Sequence, residues 1–462
     1  MAKRTSLHGL WSSRLAFILA VSGSAVGLGN IWKFPYVAGA NGGGAFVLFY
    51  LLCVALIGLP IMMAEILIGR RGRRNPVATM RIVGEEEGSR PTWALVGVMG
   101  VVAGIIILSF YSVIAGWSLY YVGHAALNRF SGAGADEVNT LFSGLLSDWR
   151  VLAFWHTVFM VLTIFVVARG VERGLERAVR FLMPSLAILM VALLGYAMIN
   201  GDFRGGVNFL LEADFSKLTG DAMLAALGQA FFSLSIGMGA IMAYGAYLPE
   251  GTSITNTSIS VVLADTGMAL LAGLAIFPIV FAHGLDPGAG PGLIFQTLPL
   301  AFGNMAGGHV FGLLFFILLT FAAWTSSIGL IEPAVAWAVE TRGRSRPASA
   351  IAIGVVIWLL GFLTILSFNE LADFRVLGRT LFENLDHLSS NILLPLGGLF
   401  ITVFAGWVMA KTSTSDELDI GTGALFRLWR FLARWVAPVA VLMVFLHATG
   451  LLHWFGLAGS EG

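Results

Sequence analysis

Gly23-Ser24-Ala25-Val26-Gly27-Leu28-Gly29-Asn30 is the stretch that decides the fold, and it lies inside an apolar segment that runs from about Leu15 to Val37. Three glycines disfavour a continuous helix, because each costs roughly 1 kcal/mol relative to Ala in a helix interior. In a bilayer, unwound backbone is tolerated only where it lines a cavity or is buried in protein. We therefore predict a membrane helix broken at mid-depth, whose free carbonyls and amides hold a small ligand.

A second stretch, Ser233-Leu234-Ser235-Ile236-Gly237-Met238-Gly239, is interrupted in the same way about two hundred residues later. Gly-interrupted spans at corresponding places in two halves of a chain indicate the binding site of a secondary transporter. Ten apolar spans divide into two groups of five, each of which opens with a broken helix. An odd number per group places the halves in opposite orientation, so the pattern predicts an inverted repeat.

The composition is that of an all-α integral membrane protein. Only 11% of the residues are charged and 57% are hydrophobic, whereas soluble domains carry about 25% charged residues. Eleven apolar segments are long enough to cross a bilayer; they lie near 14–38, 43–69, 92–126, 151–168, 178–200, 222–247, 257–283, 309–339, 348–368, 383–410 and 431–454. We expect a single transmembrane domain over 1–462, with repeat 1 at about 11–200, repeat 2 at about 222–410 and an accessory helix at about 431–454.

Lys and Arg are distributed unequally between the two sets of loops. With the N-terminus inside, the cytoplasmic loops hold clusters such as Arg70–Arg74, Arg169–Arg180 and Arg342–Arg346, and the opposite side holds few basic residues. This positive-inside bias predicts a cytoplasmic N-terminus and an external C-terminus.

Ionisable groups at membrane depth are costly unless they are paired or functional. Lys33 lies one turn past the first break, toward the outside, and Asp386 lies at the outer end of the tenth span. The two either pair as an outer gate or leave Lys33 to reach the interface alone. Glu65 is expected to be a structural partner of the cytoplasmic Arg cluster, and Glu340 lies near the inner surface, paired or solvated. Asp265 has no basic neighbour in sequence, so it either binds a cation or stays protonated beside a hydroxyl.

Hydroxyl groups are concentrated near the predicted breaks. Thr325, Ser326 and Ser327 either bond to carbonyls of their own helix or complete an alkali-ion shell. Tyr111 either reaches a ligand carboxylate or bonds to a backbone carbonyl. The sequence contains no catalytic constellation, phosphate-binding loop or metal-ligand spacing, and we expect neither an enzyme, an organic cofactor nor a nucleic-acid partner.

These motifs resemble the neurotransmitter:sodium symporters, and in particular their bacterial amino-acid transporters with the leucine-transporter fold. The resemblance runs from Trp11 to about Trp454. It is carried by Gly23–Pro35, by Asn41-Gly-Gly-Gly-Ala-Phe46, by Arg169-Gly-Val-Glu-Arg-Gly174, by Gln229–Ser235 and by Thr325-Ser-Ser327. The family fold implies a 5+5 inverted repeat in which helices 1 and 6 are broken.

The resemblance also implies the ligand sites. The substrate would contact Ala25, Gly27, Leu28, Gly29, Ile107, Tyr111, Phe232, Ser233, Ser235, Met238, Ser326 and Leu330. A first sodium site would use Ala25, Asn30, Ser233 and Asp265 together with the substrate carboxylate. A second would use Gly23, Val26, Ala322, Thr325 and Ser326.

This chain departs from the family at both gates and at the position that bears on the chloride requirement. Lys33 stands where Arg is usual, and Lys cannot form the bidentate fork with Asp386. At the inner gate His8 replaces Arg opposite Glu340, so that the gate would respond to pH near neutrality, or Arg4 substitutes for it. Asp265 stands where many relatives have Asn; a fixed carboxylate should make chloride unnecessary and could support proton counter-transport.

We expect a sodium-coupled importer of a neutral, hydrophobic or aromatic L-amino acid in the inner membrane, surrounded by lipid and working by alternating access. Met238 is flexible and favours broad specificity. The alternatives are a carrier for an osmolyte such as betaine or taurine, a transport-inactive sensor, or an ion channel.

Overall fold

A computed structural model describes residues 4–288 and 292–448. It consists of helices joined by short connections. In chain order, the helices up to the middle of the chain are α1 (Arg14–Ala25), α2 (Gly29–Ala40), α3 (Gly44–Gly72), α4 (Pro76–Glu86), α5 (Pro91–Ala126), α6 (Ala135–Ser147), α7 (Trp149–Ala168), α8 (Val171–Asn200), α9 (Phe203–Leu211), α10 (Gly220–Ser233) and α11 (Ala240–Ala246).

The remaining helices lie between residues 254 and 448. They are α12 (Ile254–Ala282), α13 (Leu298–Asn304), α14 (Gly308–Arg342), α15 (Arg346–Ser367), α16 (Leu381–Val408), α17 (Lys411–Leu418), α18 (Ala424–Phe431) and α19 (Ala437–Ala448). Within the described ranges, eight helices are long and apolar enough to cross a membrane, or nine if α1 and α2 form one bent span.

The predicted spans and the observed helices agree closely in position. The count of eleven stays a prediction for two reasons. The segment near 222–247 is divided between α10 and α11, each of which is shorter than a full span. The segment near 431–454 extends past residue 448, so the end of the predicted accessory helix lies outside the described residues.

The chain bends by 50° at a first interruption, residues 26–28, between α1 and α2. Helix α1 begins at a cap in which the Ser13 hydroxyl accepts a hydrogen bond from the Ala16 N–H at 3.1 Å. It ends where Val26 takes an extended conformation while its N–H still donates to the Ser22 carbonyl. The bend therefore falls within the glycine-rich stretch, where helix propensity is weakest.

The interruption between α10 and α11 covers residues 234–239. Three of its residues have positive φ: Ser235 (54°), Gly237 (87°) and Gly239 (75°). Only glycine adopts this region without steric cost, and at Gly237 a Cβ would lie 2.4 Å from the Leu394 carbonyl oxygen. The backbone conformation thus favours glycine at both glycine positions, and at Gly237 the close approach of α16 requires it as well.

Helix α14 occupies the centre of the molecule and packs against α5, α8 and α1. Glycines allow this close packing. A Cβ on Gly104 of α5 would lie 2.8 Å from the Leu330 carbonyl oxygen, and one on Gly329 would lie 2.1 Å from the Ser24 hydroxyl. The backbone of α14 is therefore held directly beside both the bend in α1 and the middle of α5.

Candidate functional site

A small cavity, of about 20 Å³ in this conformation, lies where the two interruptions meet α5 and α14. It contains ten of the twelve residues expected to contact the substrate. They are Ala25, Gly27, Gly29, Ile107, Tyr111, Phe232, Ser235, Met238, Ser326 and Leu330. The other two, Leu28 and Ser233, are not among its lining residues. Leu28 binds the hydroxyl of Tyr111 in the cavity wall, and Ser233 contacts Tyr50.

Tyr111 joins α5 to the first interruption. Its buried hydroxyl accepts a hydrogen bond from the Leu28 N–H at 3.2 Å. At Gly27, a Cβ would lie 2.2 Å from the Ser326 hydroxyl and 2.7 Å from the Tyr111 hydroxyl. The unwound backbone is thus held against two side-chain hydroxyls.

The second interruption is held from two sides. The Ser235 hydroxyl donates to the Ser24 carbonyl at 3.1 Å, which links the two interruptions directly. The fully buried Glu65 carboxylate accepts a hydrogen bond from the Gly237 N–H at 2.6 Å. A carboxylate that accepts from an unwound backbone amide satisfies a donor that has lost its helical partner.

The expected pairing of Glu65 with the cytoplasmic Arg cluster was wrong. Arg70 instead binds Glu417 at 2.9 Å and Arg71 binds Glu86 at 3.2 Å. The reason is the helical period: five residues turn the helix by about 500°, which places Glu65 and Arg70 about 140° apart around α3. The two side chains therefore point towards different neighbours.

Asp265 and Asn30 form the centre of the first candidate sodium site. The Asn30 amide donates to an Asp265 carboxylate oxygen at 2.8 Å and to the Asp265 carbonyl at 3.0 Å, and its own oxygen accepts from the Gly27 N–H. Asp265 is fully buried, and its second carboxylate oxygen has no hydrogen-bond partner in the part of the chain that is described. A buried, half-satisfied carboxylate among oxygen donors fits a hard cation.

Ser233 lies next to this site. Its hydroxyl is 3.1 Å from the hydroxyl of Tyr50 on α3, and both residues are fully buried. The sequence analysis did not single out Tyr50, because a tyrosine in an apolar span has no local feature that distinguishes a site residue from a core residue. Gln229, one turn earlier on α10, donates to the Gly29 carbonyl at 2.8 Å and joins the two interruptions again.

A second cluster of oxygens lies between α1 and α14. The Ser326 hydroxyl is 3.4 Å from the Gly23 carbonyl oxygen and 3.3 Å from that of Val26. The Thr325 hydroxyl donates to the Ala322 carbonyl at 3.0 Å. The Thr325 hydroxyl also lies 3.1 Å from the Phe321 carbonyl oxygen, so it bonds within its own helix, and Ser326 makes the contacts to α1. A second sodium site formed by Gly23, Val26, Ala322, Thr325 and Ser326 stays a prediction. Their donors are neutral carbonyls and hydroxyls, which suit a monovalent ion.

At the predicted inner gate, His8 Nε2 lies 2.9 Å from the Glu340 carboxylate, and both side chains are largely buried. Glu340 also accepts from the Asn75 backbone N–H at 2.9 Å and from the Asn75 side chain at 2.7 Å. Arg4, the alternative partner, binds Glu86 at 2.5 Å instead. In this conformation His8, not Arg4, contacts Glu340.

The predicted outer pair is not formed in this conformation. The Lys33 ammonium lies 4.2 Å from the centre of the Phe232 ring, in a cation–π contact. Asp386 accepts a hydrogen bond from the Ser390 hydroxyl at 2.8 Å. Over residues 4–288 and 292–448, no ion pair joins Lys33 to Asp386, so a gate made by these two side chains stays a prediction.

A buried charged cluster in the C-terminal half of α14 has no counterpart among the sequence predictions. Glu332 is fully buried and accepts hydrogen bonds from the Tyr247 hydroxyl at 2.9 Å and from both terminal nitrogens of Arg346. Arg346 also donates to the Val167 carbonyl at 2.8 Å. Glu332 could have been noticed in the sequence, because a carboxylate in an apolar span needs a partner. Its partner Arg346 lies on the next helix, α15, and local sequence does not identify it.

Two interrupted helices around a cavity with buried oxygen donors define a membrane transporter of the broken-helix type. The profile described as "Sodium:neurotransmitter symporter family" matches residues 8–132 and 139–453, and the chain belongs to this family. It is a multi-pass membrane protein of a sodium-dependent transporter family, not an enzyme.

Relatives and a solved structure agree with this assignment. The chain is 38% identical to the uncharacterized sodium-dependent transporter YhdH of Bacillus subtilis, over 96% of this chain and 98% of the relative. It is 32% identical to an uncharacterized sodium-dependent transporter of Haemophilus influenzae, over 94% and 97%. Its structure is similar to that of MhsT in complex with L-phenylalanine, with a TM-score of 0.89 and 43% identity over 95% of this chain and 99% of that chain.

Proposed function

We propose that this protein imports a neutral, hydrophobic or aromatic L-amino acid together with sodium, by alternating access across the inner membrane. The observation that carries the proposal is the position of the cavity, which lies between the two interruptions and beside the buried Asp265–Asn30 pair. The similarity to MhsT, whose structure contains L-phenylalanine, supports an amino acid as the substrate.

The cavity surface is largely apolar, and side-chain hydroxyls lie among its lining residues, which suits an α-amino acid with an apolar side chain. Tyr111 and Ser326 offer hydroxyls to the amino and carboxyl groups, whereas Ile107 and Leu330 offer an apolar surface. Within the described parts of the chain, no charged side chain lines the cavity. A charged substrate side chain would lose its hydration there without compensation, so we infer a neutral one.

The two oxygen clusters are proposed as the sodium sites. The first would be formed by Ala25, Asn30, Ser233 and Asp265, with the substrate carboxylate, and the second by Gly23, Val26, Ala322, Thr325 and Ser326. Because the substrate completes the first site, sodium and substrate bind cooperatively, with a coupling of roughly 1–3 kcal/mol. The fixed charge of Asp265 balances the bound cation, so chloride is not required.

The remaining sequence predictions form part of the same proposal. The helices are arranged as a 5+5 inverted repeat with eleven spans, the N-terminus in the cytoplasm and the C-terminus outside. His8 and Glu340 close the inner side in the present conformation. Lys33 and Asp386 would approach each other when the outer side closes.

Uptake into proteoliposomes tests the function. With an inward sodium gradient and gluconate as the anion, radiolabelled L-phenylalanine and L-leucine should accumulate, and a potassium gradient should not support accumulation. Vesicles without protein are the control. If neither amino acid accumulates but betaine or taurine does, the osmolyte carrier replaces this proposal. A sodium current without substrate accumulation would favour a channel, and binding without uptake would favour a sensor.

A further inference from the structure

A second cavity, of about 200 Å³, lies between the end of α7, the start of α8 and the middle of α14. It shares no residue with the substrate cavity. Its lining residues include three arginines, Arg169, Arg173 and Arg177, and two aromatic residues, Phe181 and Trp324. The cavity thus combines a concentrated positive charge with an apolar surface.

The positive charge is not compensated by the protein. In the described ranges, none of these three arginines takes part in an ion pair; Arg169 only stacks on Phe165, at 3.7 Å from the ring centre. The neighbouring Glu176 is already bound to Arg180 at 2.7 Å and to Ser12 at 2.5 Å, and Glu172 does not line the cavity. Like charges four residues apart repel each other, so this arrangement favours an external anion.

The cavity lies at the edge of the membrane. Helix α7 ends at Ala168 and α8 begins at Val171, and both are candidate spans, so the arginines lie where apolar helix gives way to polar connection. Phe165 and Phe181 are 53% and 66% exposed, which is expected for side chains that face lipid. Trp324 also lines the cavity, and its indole N–H is buried without a partner within the described chain.

We propose that this cavity binds the phosphodiester head group of an anionic phospholipid from the cytoplasmic leaflet. Guanidinium groups match phosphate oxygens in a bidentate geometry, and basic pockets between membrane helices on the cytoplasmic side suit anionic head groups. The apolar side decides between lipid and free phosphate, because Phe181 and Leu182 offer a surface for an acyl chain that an inorganic ion would not contact.

The test measures how much phosphatidylglycerol stays bound to the detergent-purified protein, by native mass spectrometry. Phosphatidylcholine with the same acyl chains is the reference lipid. The triple variant R169Q/R173Q/R177Q should retain at least about tenfold less phosphatidylglycerol than the unaltered protein. The matched variant R342Q/R344Q/R427Q removes the same charge from exposed arginines of other cytoplasmic segments and should retain as much as the unaltered protein.

Three outcomes would overturn the proposal. The first is equal retention of phosphatidylglycerol and phosphatidylcholine by the unaltered protein. The second is equal loss in the two triple variants, which would indicate general surface charge. The third is displacement of the lipid by millimolar inorganic phosphate. If the first triple variant is not monodisperse in gel filtration, R173Q alone should still reduce retention and R173K should restore it; no change in R173Q would equally refute the site.

Discussion

The substitution Gly27→Ala tests whether the first interruption is packed against the cavity as the structure describes. A Cβ at this position would lie 2.2 Å from the Ser326 hydroxyl and 2.7 Å from the Tyr111 hydroxyl. Both side chains must therefore move, and overpacking of this kind costs about 1–3 kcal/mol. If the cost falls on the bound state, the affinity for L-phenylalanine drops by about 5- to 150-fold. Displacement of Ser326 also separates it from the Gly23 and Val26 carbonyls, so the apparent affinity for sodium should fall as well.

The assay is sodium-dependent binding of labelled L-phenylalanine to purified protein, with thermal unfolding measured on the same samples. Gly195→Ala on α8 is the matched control, because nothing lies within 4 Å of the added Cβ there. It should bind normally and be as stable as the unaltered protein or slightly more so, since Ala favours the helix. A folded Gly27→Ala protein that binds L-phenylalanine with unchanged affinity would refute the close packing at this position.

Three further predictions follow from individual contacts. Tyr111→Phe removes the acceptor of the Leu28 N–H and should weaken L-phenylalanine binding about fivefold, in line with a net hydrogen bond of about 1 kcal/mol; a change of less than twofold in the binding assay would count against it. Glu332→Gln leaves Arg346 buried without its carboxylate, so it should lower the free energy of unfolding by about 3–5 kcal/mol and the unfolding temperature with it. A double variant with Arg346→Gln should recover part of this loss. A melting curve like that of the unaltered protein would contradict the prediction. Asp265→Asn removes the fixed charge and should make substrate binding depend on chloride; full binding by this variant in gluconate would show that the carboxylate does not replace chloride.

The positions of the helices and of the breaks could be predicted from the sequence because their causes are local. Apolar runs of span length and clusters of glycine act on the backbone within a few residues. The bend between Ala25 and Gly29 and the interruption at 234–239 both fall inside the glycine-rich stretches. The residues of the cavity wall were reached in a different way, from the resemblance of the motifs to a known family.

Contacts between distant parts of the chain could not be predicted in this way. Glu65 contacts Gly237 and not its Arg neighbours, and Tyr50 contacts Ser233, because the packing of α3 against α10 and α11 decides both partners. The same holds for Glu332 and its partner across a helix end. Sequence patterns specify which residues need a partner, whereas the partner depends on which helices come together.

The sequence could not predict which gate contacts are formed in this conformation, for a different reason. An alternating-access protein visits several conformations, and one sequence encodes all of them. Here His8 contacts Glu340, while Lys33 stacks on Phe232 and Asp386 bonds to Ser390. A pairing expected from residue types can therefore belong to a conformation other than the one described.

The most direct test of the central claim is equilibrium binding of labelled L-tryptophan, L-leucine, L-tyrosine and L-alanine to the purified protein, in sodium gluconate and in potassium gluconate. We expect binding of L-tryptophan and L-leucine in sodium and none in potassium, without chloride. If binding appears only after chloride is added, the amino-acid site stands and the role of Asp265 does not. If none of the four amino acids binds in sodium, with or without chloride, the proposed substrate class is contradicted.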